Sequence, residues 1–257
     1  HEECLQILLN NQNEENFPLS PTVEEQSCQT LLPLMETADA SFLTQTTKNW
    51  QENIDWMLKE GLIEKLVDTQ DFDTIAVESV GSNPNHYEIT ASEYANPFNK
   101  GAYVNQLDFV ILASLEVDVN FNCNVVVGSD GMITGAQGGH PDTAAGAKCT
   151  IVIAPLLQGR IPAICDECTA ITTPGETVDV VITDYGIAIN PRRQDLIECM
   201  KNTKLPICTI EELRDKAYAI VGKPEPVKFG DRVVGVIESR DGTIIDVVRE
   251  IKDYEWE

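Results

Sequence analysis

Three apolar segments constrain the fold of this chain more than any other feature. They read "LDFVILASLEV", "CTIVIAPLL" and "VDVVITDYGIAI", and all three are rich in valine and isoleucine. Nearly continuous apolar runs of this length, bounded by turn residues, are typical of buried β-strands. We therefore expect these segments to be central strands and not surface ribbons.

Helical patterns lie on both sides of the strand segments. "NWQENIDWMLKEGLIEKL" has apolar residues at helical spacing, with Gly61 ending one helix and a shorter turn continuing to Leu66. "QDLIECMKNTK" predicts another helix, and the capping box formed by Thr209 and Glu212 opens a helix that Gly222 closes. This alternation predicts an α/β fold with an open mixed sheet flanked by helices.

Turn signals and composition set the remaining organisation. "GSDG" predicts a tight turn after the strand "NCNVVV", and "RVVGVIESRDGTIIDVVREI" predicts a hairpin about an Asp-Gly turn. Residues 1–48 are polar and contain three prolines, which indicates an irregular or short-helical segment. Residues 49–257 then form the α/β domain.

Charge and hydropathy exclude several classes of function. The formal net charge of -24 opposes binding to nucleic acid and to anionic membranes. No apolar run is long enough to span a bilayer, and the first residues do not resemble a secretion signal. We expect a cytoplasmic protein with neither a membrane nor a nucleic acid as partner.

The chain has eight cysteines, several of them inside apolar segments, which favours reduced thiols over a disulfide framework. Cys165 and Cys168 form a single C-x-x-C motif. Zinc sites usually need a second such pair or two nearby histidines. The sequence has only three histidines, so we expect no metal site.

The segment "GAQGGHPDTAAGAK" carries little side-chain mass directly before a buried strand. Pro141 suits the start of a short helix, and glycine there allows a ligand to approach the backbone closely. Free N–H groups at that position would favour a carboxylate, a phosphate or a developing oxyanion. The alternative is that Gly138 and Gly139 only let the helix pack closely on the sheet.

Four stretches between Val117 and Arg249 resemble the carboxyl-terminal half of the citrate lyase alpha subunit family. They are "VDVNFNCNVVVGSDGMITGAQGGHPDTAAGAK", "GRIP", "TPGETVDVVITDYGIAINPRRQDL" and "VIESRDGTIIDVVR". A weaker resemblance continues upstream through "YANPFNKGA" and "KEGLIEKLVDTQDFD". The resemblance covers roughly residues 56–252.

The resemblance implies a CoA-transferase-like (NagB/RpiA-like) fold and a cytoplasmic transferase of the citrate CoA-transferase type. Such a subunit moves the acyl carrier thioester from acetate to citrate. No cofactor would be tightly bound, because the thioester on CoA or on a phosphopantetheine-type carrier arm is a substrate. The implied partners are the lyase (beta) and acyl carrier (gamma) subunits, in a homo-oligomer or hetero-complex.

The resemblance also implies site residues. Its glycine loop places Gly138 and Gly139 beside the reacting thioester, with oxyanion stabilisation as their role. His140 and Asp142 follow the loop and are candidates to orient substrate, with helix capping or packing as the alternative for the histidine. Asn96, in a matching segment, is a further substrate-binding candidate, and Lys100 lies in the same segment without an assigned role.

Three candidates come from residue chemistry. Glu116 stands at a strand end, where a carboxylate could attack or transfer a proton in thioester exchange. Its alternative is a polar residue at a sheet edge, and because the resemblance implies direct exchange, it is not assigned as a covalent nucleophile. Arg193 and Arg160 could bind citrate carboxylates in bidentate fashion, or only solvate the surface.

The chain departs from the family in length. Family members have two related α/β halves, whereas this sequence matches the second and has "SCQTLLPLMETADASFLTQTTKNW" where a glycine-rich segment is expected. Two functions follow. The first is a citrate lyase transferase subunit completed by another chain, and the second is a catalytically incomplete relative acting as a binding or assembly subunit.

Overall fold

The computed structural model describes residues 56–57, 60–70 and 74–252. The chain divides into two compact units, His1–Ile89 and Thr90–Glu257. The amino-terminal segment predicted for residues 1–48, and its boundary with the α/β domain, lie outside the described residues.

The first unit contains a small βαβ arrangement. Strand β1 (Leu66–Asp68) pairs in parallel with β2 (His86–Glu88), and helix α1 (Thr74–Ser82) connects them. Helical residues at 56–57 are followed by a turn at Gly61, so the predicted helix end is confirmed. The predicted helical continuation to Leu66 is wrong, because Leu66 instead begins a strand that pairs along its whole length with β2.

The second unit alternates short strands and helices. Its elements in chain order are α2 (Ala91–Ala95), β3 (Phe109–Ala113), β4 (Glu116–Asp118), β5 (Cys123–Asn124), α3 (His140–Gly146), β6 (Cys149–Ile153), β7 (Leu157–Gln158), β8 (Ile161–Pro162), β9 (Ile164–Cys165), β10 (Val180–Ile182), β11 (Ile187–Ile189), α4 (Gln194–Met200), β12 (Ile207–Cys208), α5 (Ile210–Val221), β13 (Phe229–Glu238) and β14 (Ile244–Ile251). The predicted α/β class is confirmed.

A five-stranded mixed sheet is the largest layer of this unit, with strand order β12-β11-β10-β6-β3. Strands β3, β6 and β10 run parallel, β10 and β11 form an antiparallel pair, and β11 and β12 run parallel. The predicted mixed sheet is therefore confirmed. One face carries Val152, Val181 and Ala188, which are buried together with Leu213 and Ala217 of α5.

The segment "LDFVILASLEV" differs from its prediction as one central strand. It forms β3 at the edge of the five-stranded sheet, then β4 in a separate three-stranded sheet of order β5-β4-β9. The chain changes sheet at Ser114, whose hydroxyl donates to the carbonyls of Glu116 (2.6 Å) and Asn124 (3.0 Å). A side-chain hydrogen bond of this kind competes with the ladder bonds of a continuing strand, and the apolar run divides between two sheets at this point.

The helix and the hairpin predicted for the carboxyl-terminal part of the sequence are confirmed. Thr209 and Glu212 form the capping box of α5, and Gly222 closes that helix. Strands β13 and β14 form the predicted antiparallel hairpin, with Gly242 in its turn. Within the described residues, no helix is both long and apolar enough to cross a bilayer.

Candidate functional site

The glycine loop, residues 135–140, leads directly into α3, and its two central glycines meet different constraints. Gly138 has a φ of +51°, and no atom lies within 4 Å of the place where a Cβ would stand. A Cβ on Gly139 would lie 2.7 Å from Cε1 of Tyr94 and 2.9 Å from its hydroxyl. Gly138 is therefore favoured by its positive φ. Gly139 is favoured because the aromatic ring lies too close for a Cβ atom.

The amides of the two glycines are available as donors. Among the residues that the structure describes, neither the Gly138 N–H nor the Gly139 N–H has a hydrogen-bond acceptor, whereas the next amide, of His140, donates to the Gln137 carbonyl at 3.0 Å. Backbone N–H groups without a protein partner suit a carboxylate or an oxyanion. Because Gly138 faces open space, such a group can reach the loop.

Tyr94, at the end of α2, forms the wall opposite Gly139, and the sequence analysis missed it. The ring is partly buried, and this burial raises the pKa of its phenol, against a hydrogen bond with Thr143 that lowers it. The tyrosine therefore stays neutral at physiological pH. Tyr94 lies in "YANPFNKGA", a segment that resembles the family. That resemblance could have identified Tyr94, but only Asn96 and Lys100 were considered there.

His140 is buried, and both of its ring nitrogens have protein partners. Nε2 lies 3.1 Å from the Ala113 carbonyl, which can only accept, so this nitrogen carries the proton. Nδ1, 2.7 Å from the Thr173 hydroxyl, then accepts. Burial lowers the pKa of His140 and keeps the ring neutral. These contacts join α3 to the end of β3; its predicted contact with substrate stays a prediction.

Asp142 pairs with an arginine that the sequence analysis did not select. Arg240, in the turn of the β13–β14 hairpin, has its Nε 3.5 Å from Oδ1 of Asp142. The same guanidinium donates to Oδ1 of Asn105 (3.4 Å) and to the Ala95 carbonyl (3.5 Å). Burial raises the pKa of Asp142, and Arg240 opposes that rise. Through contacts of 3.4–3.5 Å, Arg240 thus connects the segments that contain Ala95, Asn105 and Asp142.

Asn96 follows α2 directly and shapes the turn after it. Its Nδ2 donates to the Ser92 hydroxyl at 3.1 Å, and its Oδ1 accepts from the Phe98 N–H at 3.0 Å. The neighbouring Ala95 carbonyl faces Arg240, so Asn96 lies at the edge of the glycine-loop cluster. Lys100 is exposed. The loop, Asp142 and Asn96 are the predicted site residues that the fold brings together.

Glu116 occupies a buried and fully bonded position. Its Oε2 accepts from Nδ2 of Asn124 (2.8 Å) and from the N–H of Thr169 (2.8 Å), and its Oε1 accepts from the Thr169 hydroxyl (2.9 Å). It lines a cavity of about 490 Å³ together with Tyr218 and Lys223. No residue of the glycine loop lines that cavity, so this cavity does not join the carboxylate to the loop.

The two predicted citrate-binding arginines also lie outside the cluster. Arg193 forms ion pairs with Asp195 (2.7 Å) and Asp179 (3.0 Å), and donates to the Lys148 carbonyl (3.2 Å). The bonds to Asp195, and then to Asp179, raise the pKa of its guanidinium further. These contacts lie beyond the carboxyl end of α3, opposite the loop. Arg160 is exposed in the turn between β7 and β8.

Six cysteines fall among the described residues, and all six are free thiols. Cys165 and Cys168 are both buried, and burial, with the neighbouring Cys165, raises the pKa of Cys168. No group of three or more histidine, cysteine or acidic side chains within the described ranges is placed to hold a metal ion.

Comparisons with known proteins agree with the resemblance found in the sequence. The family model for citrate lyase, alpha subunit (CitF), matches residues 44–251. The citrate lyase alpha chain of Haemophilus influenzae is 52% identical over 193 residues, covering 75% of this chain and 39% of that protein. A shorter match, 40% identical over 70 residues, is to a formylaminopyrimidine-binding protein of Halalkalibacterium halodurans, covering 27% of this chain and 21% of that one.

A solved structure is similar as well. The alpha subunit of citrate lyase from Streptococcus mutans, determined in complex with citrate, is 54% identical with a TM-score of 0.75. The match covers 79% of this chain and 40% of that one, so the chain spans about two fifths of the length of these alpha subunits. Since the family model matches well over half of it, the chain belongs to the citrate lyase alpha subunit family.

Proposed function

We propose that this chain provides the glycine-loop part of a citrate lyase transferase subunit with a CoA-transferase-like (NagB/RpiA-like) fold. The reaction exchanges acetyl-S-carrier and citrate for citryl-S-carrier and acetate. The observation that carries the proposal is the likeness, at 54% identity, to an alpha subunit determined with citrate. The thioester, on CoA or on a phosphopantetheine-type arm, is a substrate and not a bound cofactor.

The glycine loop has the properties that this exchange requires. When a citrate carboxylate oxygen attacks the thioester carbonyl, negative charge develops on the carbonyl oxygen, and collapse of that intermediate releases the carrier thiolate and leaves a citryl–acetyl anhydride. The thiolate then attacks the citryl carbonyl of this anhydride and releases acetate. The N–H groups of Gly138 and Gly139 have no acceptor among the described residues and are free to donate to that oxygen. A donor fixed in advance is worth about 10²–10³-fold in rate.

Tyr94 and Arg240 hold the loop in place in this scheme. The ring of Tyr94 stands against Gly139, and Arg240 fixes Asp142 at the start of α3. Neither residue is assigned a covalent step. Glu116 is left outside the mechanism, because its carboxylate already accepts three hydrogen bonds in a separate cavity.

The proposed setting is a cytoplasmic complex with lyase (beta) and acyl carrier (gamma) subunits. A net charge of -24 opposes nucleic acid as a partner. Because the chain spans about two fifths of the related alpha chains, we expect transfer only when the rest of an alpha chain is supplied.

A matched pair of glycine variants tests the proposal. Gly138 and Gly159 both have positive φ, at +51° and +63°, and in neither case does an atom lie within 4 Å of the place where a Cβ would stand. Gly138→Val and Gly159→Val therefore impose similar backbone strain, but only the first obstructs the loop. With the remainder of the Haemophilus influenzae alpha chain supplied, we expect Gly138→Val to lower thioester exchange by about 10²-fold or more.

The control variant Gly159→Val should retain the exchange rate. Equal thioester exchange rates for the two folded variants would show that the loop glycines only allow the helix to pack closely on the sheet. A complemented wild-type protein that binds citrate but exchanges no thioester would favour a binding or assembly subunit instead.

A further inference from the structure

The guanidinium of Arg240 is largely buried, yet all of its hydrogen bonds are long. Its acceptors are Oδ1 of Asp142 (3.5 Å), Oδ1 of Asn105 (3.4 Å) and the carbonyls of Asp142 and Ala95 (both 3.5 Å). Charge-assisted N–H···O bonds are normally about 2.7–2.9 Å long. Only 16% of the side chain is exposed, so water does not make up the difference. The guanidinium therefore keeps hydrogen-bonding capacity that the protein does not use.

Arg193 shows how a fully engaged guanidinium is held in the same unit. Its side chain is 20% exposed, which is close to the value for Arg240. It pairs with two carboxylates, of Asp195 at 2.7 Å and of Asp179 at 3.0 Å. Among the described residues, the acceptor nearest to Arg240 lies at 3.4 Å. The two arginines thus differ in their partners and not in their burial, and Arg240 is the one that can accommodate a carboxylate from a ligand.

The hairpin turn that carries Arg240 contacts the glycine-loop segment at two points. Nε2 of Gln137 donates to the Glu238 carbonyl at 3.4 Å, and Arg240 donates to the Asp142 carbonyl at 3.5 Å. Gln137 and Asp142 lie on either side of the two glycines whose N–H groups have no acceptor among the described residues. A cation and two open backbone donors are therefore grouped around one segment of six residues, 137–142.

We propose that Arg240 determines acceptor specificity by binding a carboxylate of citrate that does not react, while the glycine amides act on the reacting carbonyl. The identity of this ligand rests on the proposed function. Citrate has further carboxylates besides the one that attacks, whereas acetate has only the attacking one. A guanidinium presents paired N–H groups that match the two oxygens of a carboxylate. Arg240 thus favours citrate over acetate as the acceptor.

The charge of the chain gives such a cation a second role. A formal net charge of -24 repels a trianion such as citrate, and a cation beside the loop offsets that repulsion where the ligand binds. Arg193 does not supply this charge, because it is engaged beyond the other end of α3. Arg240 does, because it contacts Asp142 in the first turn of that helix.

A comparison of two acceptors tests the proposal, with the remainder of the Haemophilus influenzae alpha chain supplied. The acceptors are citrate and isotopically labelled acetate, which exchanges into the acetyl thioester. We expect Arg240→Gln to lower kcat/KM for citrate at least about tenfold more than kcat/KM for acetate, through a higher KM for citrate. Arg240→Lys should lose less, because it keeps the charge but not the paired N–H groups.

The matched control is Arg232→Gln, at a position 76% exposed on strand β13 of the same hairpin, which should behave as the wild type does. Calorimetric titration of citrate into the complemented protein gives a readout that does not depend on transfer. Citrate should bind at least about tenfold more weakly to Arg240→Gln, and equally well to Arg232→Gln and the wild type.

Two results would overturn the proposal. Equal losses for citrate and for acetate would show that Arg240 only supports the loop. The same acceptor profile in Asp142→Asn would show that Arg240 acts through its ion pair with Asp142. Citrate binding that depends on Arg240, without any thioester exchange in the complemented wild type, would contradict the proposed function and leave the role of Arg240 in binding intact.

Discussion

The glycine loop and the cavity that Glu116 lines both contain polar groups of the same unit, but they differ in whether those groups have hydrogen-bond partners within the protein. The carboxylate of Glu116 accepts hydrogen bonds from Asn124 and twice from Thr169. The amides of Gly138 and Gly139 have no acceptor among the described residues. A buried polar group whose partners are all protein groups stabilises the fold, whereas donors left open are free for a ligand.

The largest effect that tests this comparison is expected for Glu116→Ala. Removing the carboxylate takes the acceptor from the Thr169 N–H and from one of the two N–H groups of the Asn124 amide, while the Asn124 amide keeps its bond to the Val127 carbonyl. The loss should lower the free energy of unfolding by about 3 kcal/mol. Urea denaturation measures this. Glu211→Ala, on the exposed first turn of α5, is the control and should change little. If Glu116→Ala keeps its stability but loses thioester exchange, the pocket and not the loop is the site.

A smaller effect is expected where Tyr94 meets Gly139. Gly139→Ala places a methyl group 2.7 Å from the ring, and forcing the ring aside should cost about 1–3 kcal/mol of stability. In a Tyr94→Leu background the same substitution should cost at least about 1 kcal/mol less, because the obstructing atoms are gone. Strictly additive effects in this double-mutant cycle would show that the ring does not fix the loop.

The smallest effect concerns His140 and pH. Its folded pKa is lowered by burial, so the unfolded chain binds the proton more readily, and stability should fall as the pH drops below about 6.5. Between pH 7 and pH 5, the wild type should lose about 1 kcal/mol more than His140→Gln. Urea denaturation at both pH values checks this, since the carboxylates contribute equally to the two proteins. An identical loss would mean that the ring binds its proton as readily in the native state as in the unfolded chain, so that burial does not lower its pKa.

Local patterns in the sequence predicted much of the fold. The capping box at Thr209 and Glu212, the hairpin about Gly242 and the mixed sheet all depend on neighbouring residues or on periodicity, and the structure confirms them. The change of sheet at Ser114 was missed, because a single hydroxyl redirects an apolar run that otherwise reads as one strand.

The candidate site was less predictable for a physical reason. Glycines in a loop are visible in a sequence, but the partners that hold them come from distant segments. Tyr94 contacts Gly139 from an earlier segment of the sequence, and Arg240 contacts Asp142 from the β13–β14 hairpin. For Arg193 the sequence suggested a substrate contact, but its guanidinium is engaged in an ion pair with Asp179. The sequence does not reveal this pair, because only the fold brings the two residues together.

The contact of Arg240 with the segment around the loop also sets an order of assembly during synthesis. The Asp142 carbonyl and the arginine that contacts it are 98 residues apart. At a translation rate of roughly 5–20 residues per second, the ribosome adds Arg240 roughly 5 to 20 s after Asp142. Until then the nascent loop lacks its hairpin contact, so the geometry of the loop segment is completed only after the hairpin has been synthesised.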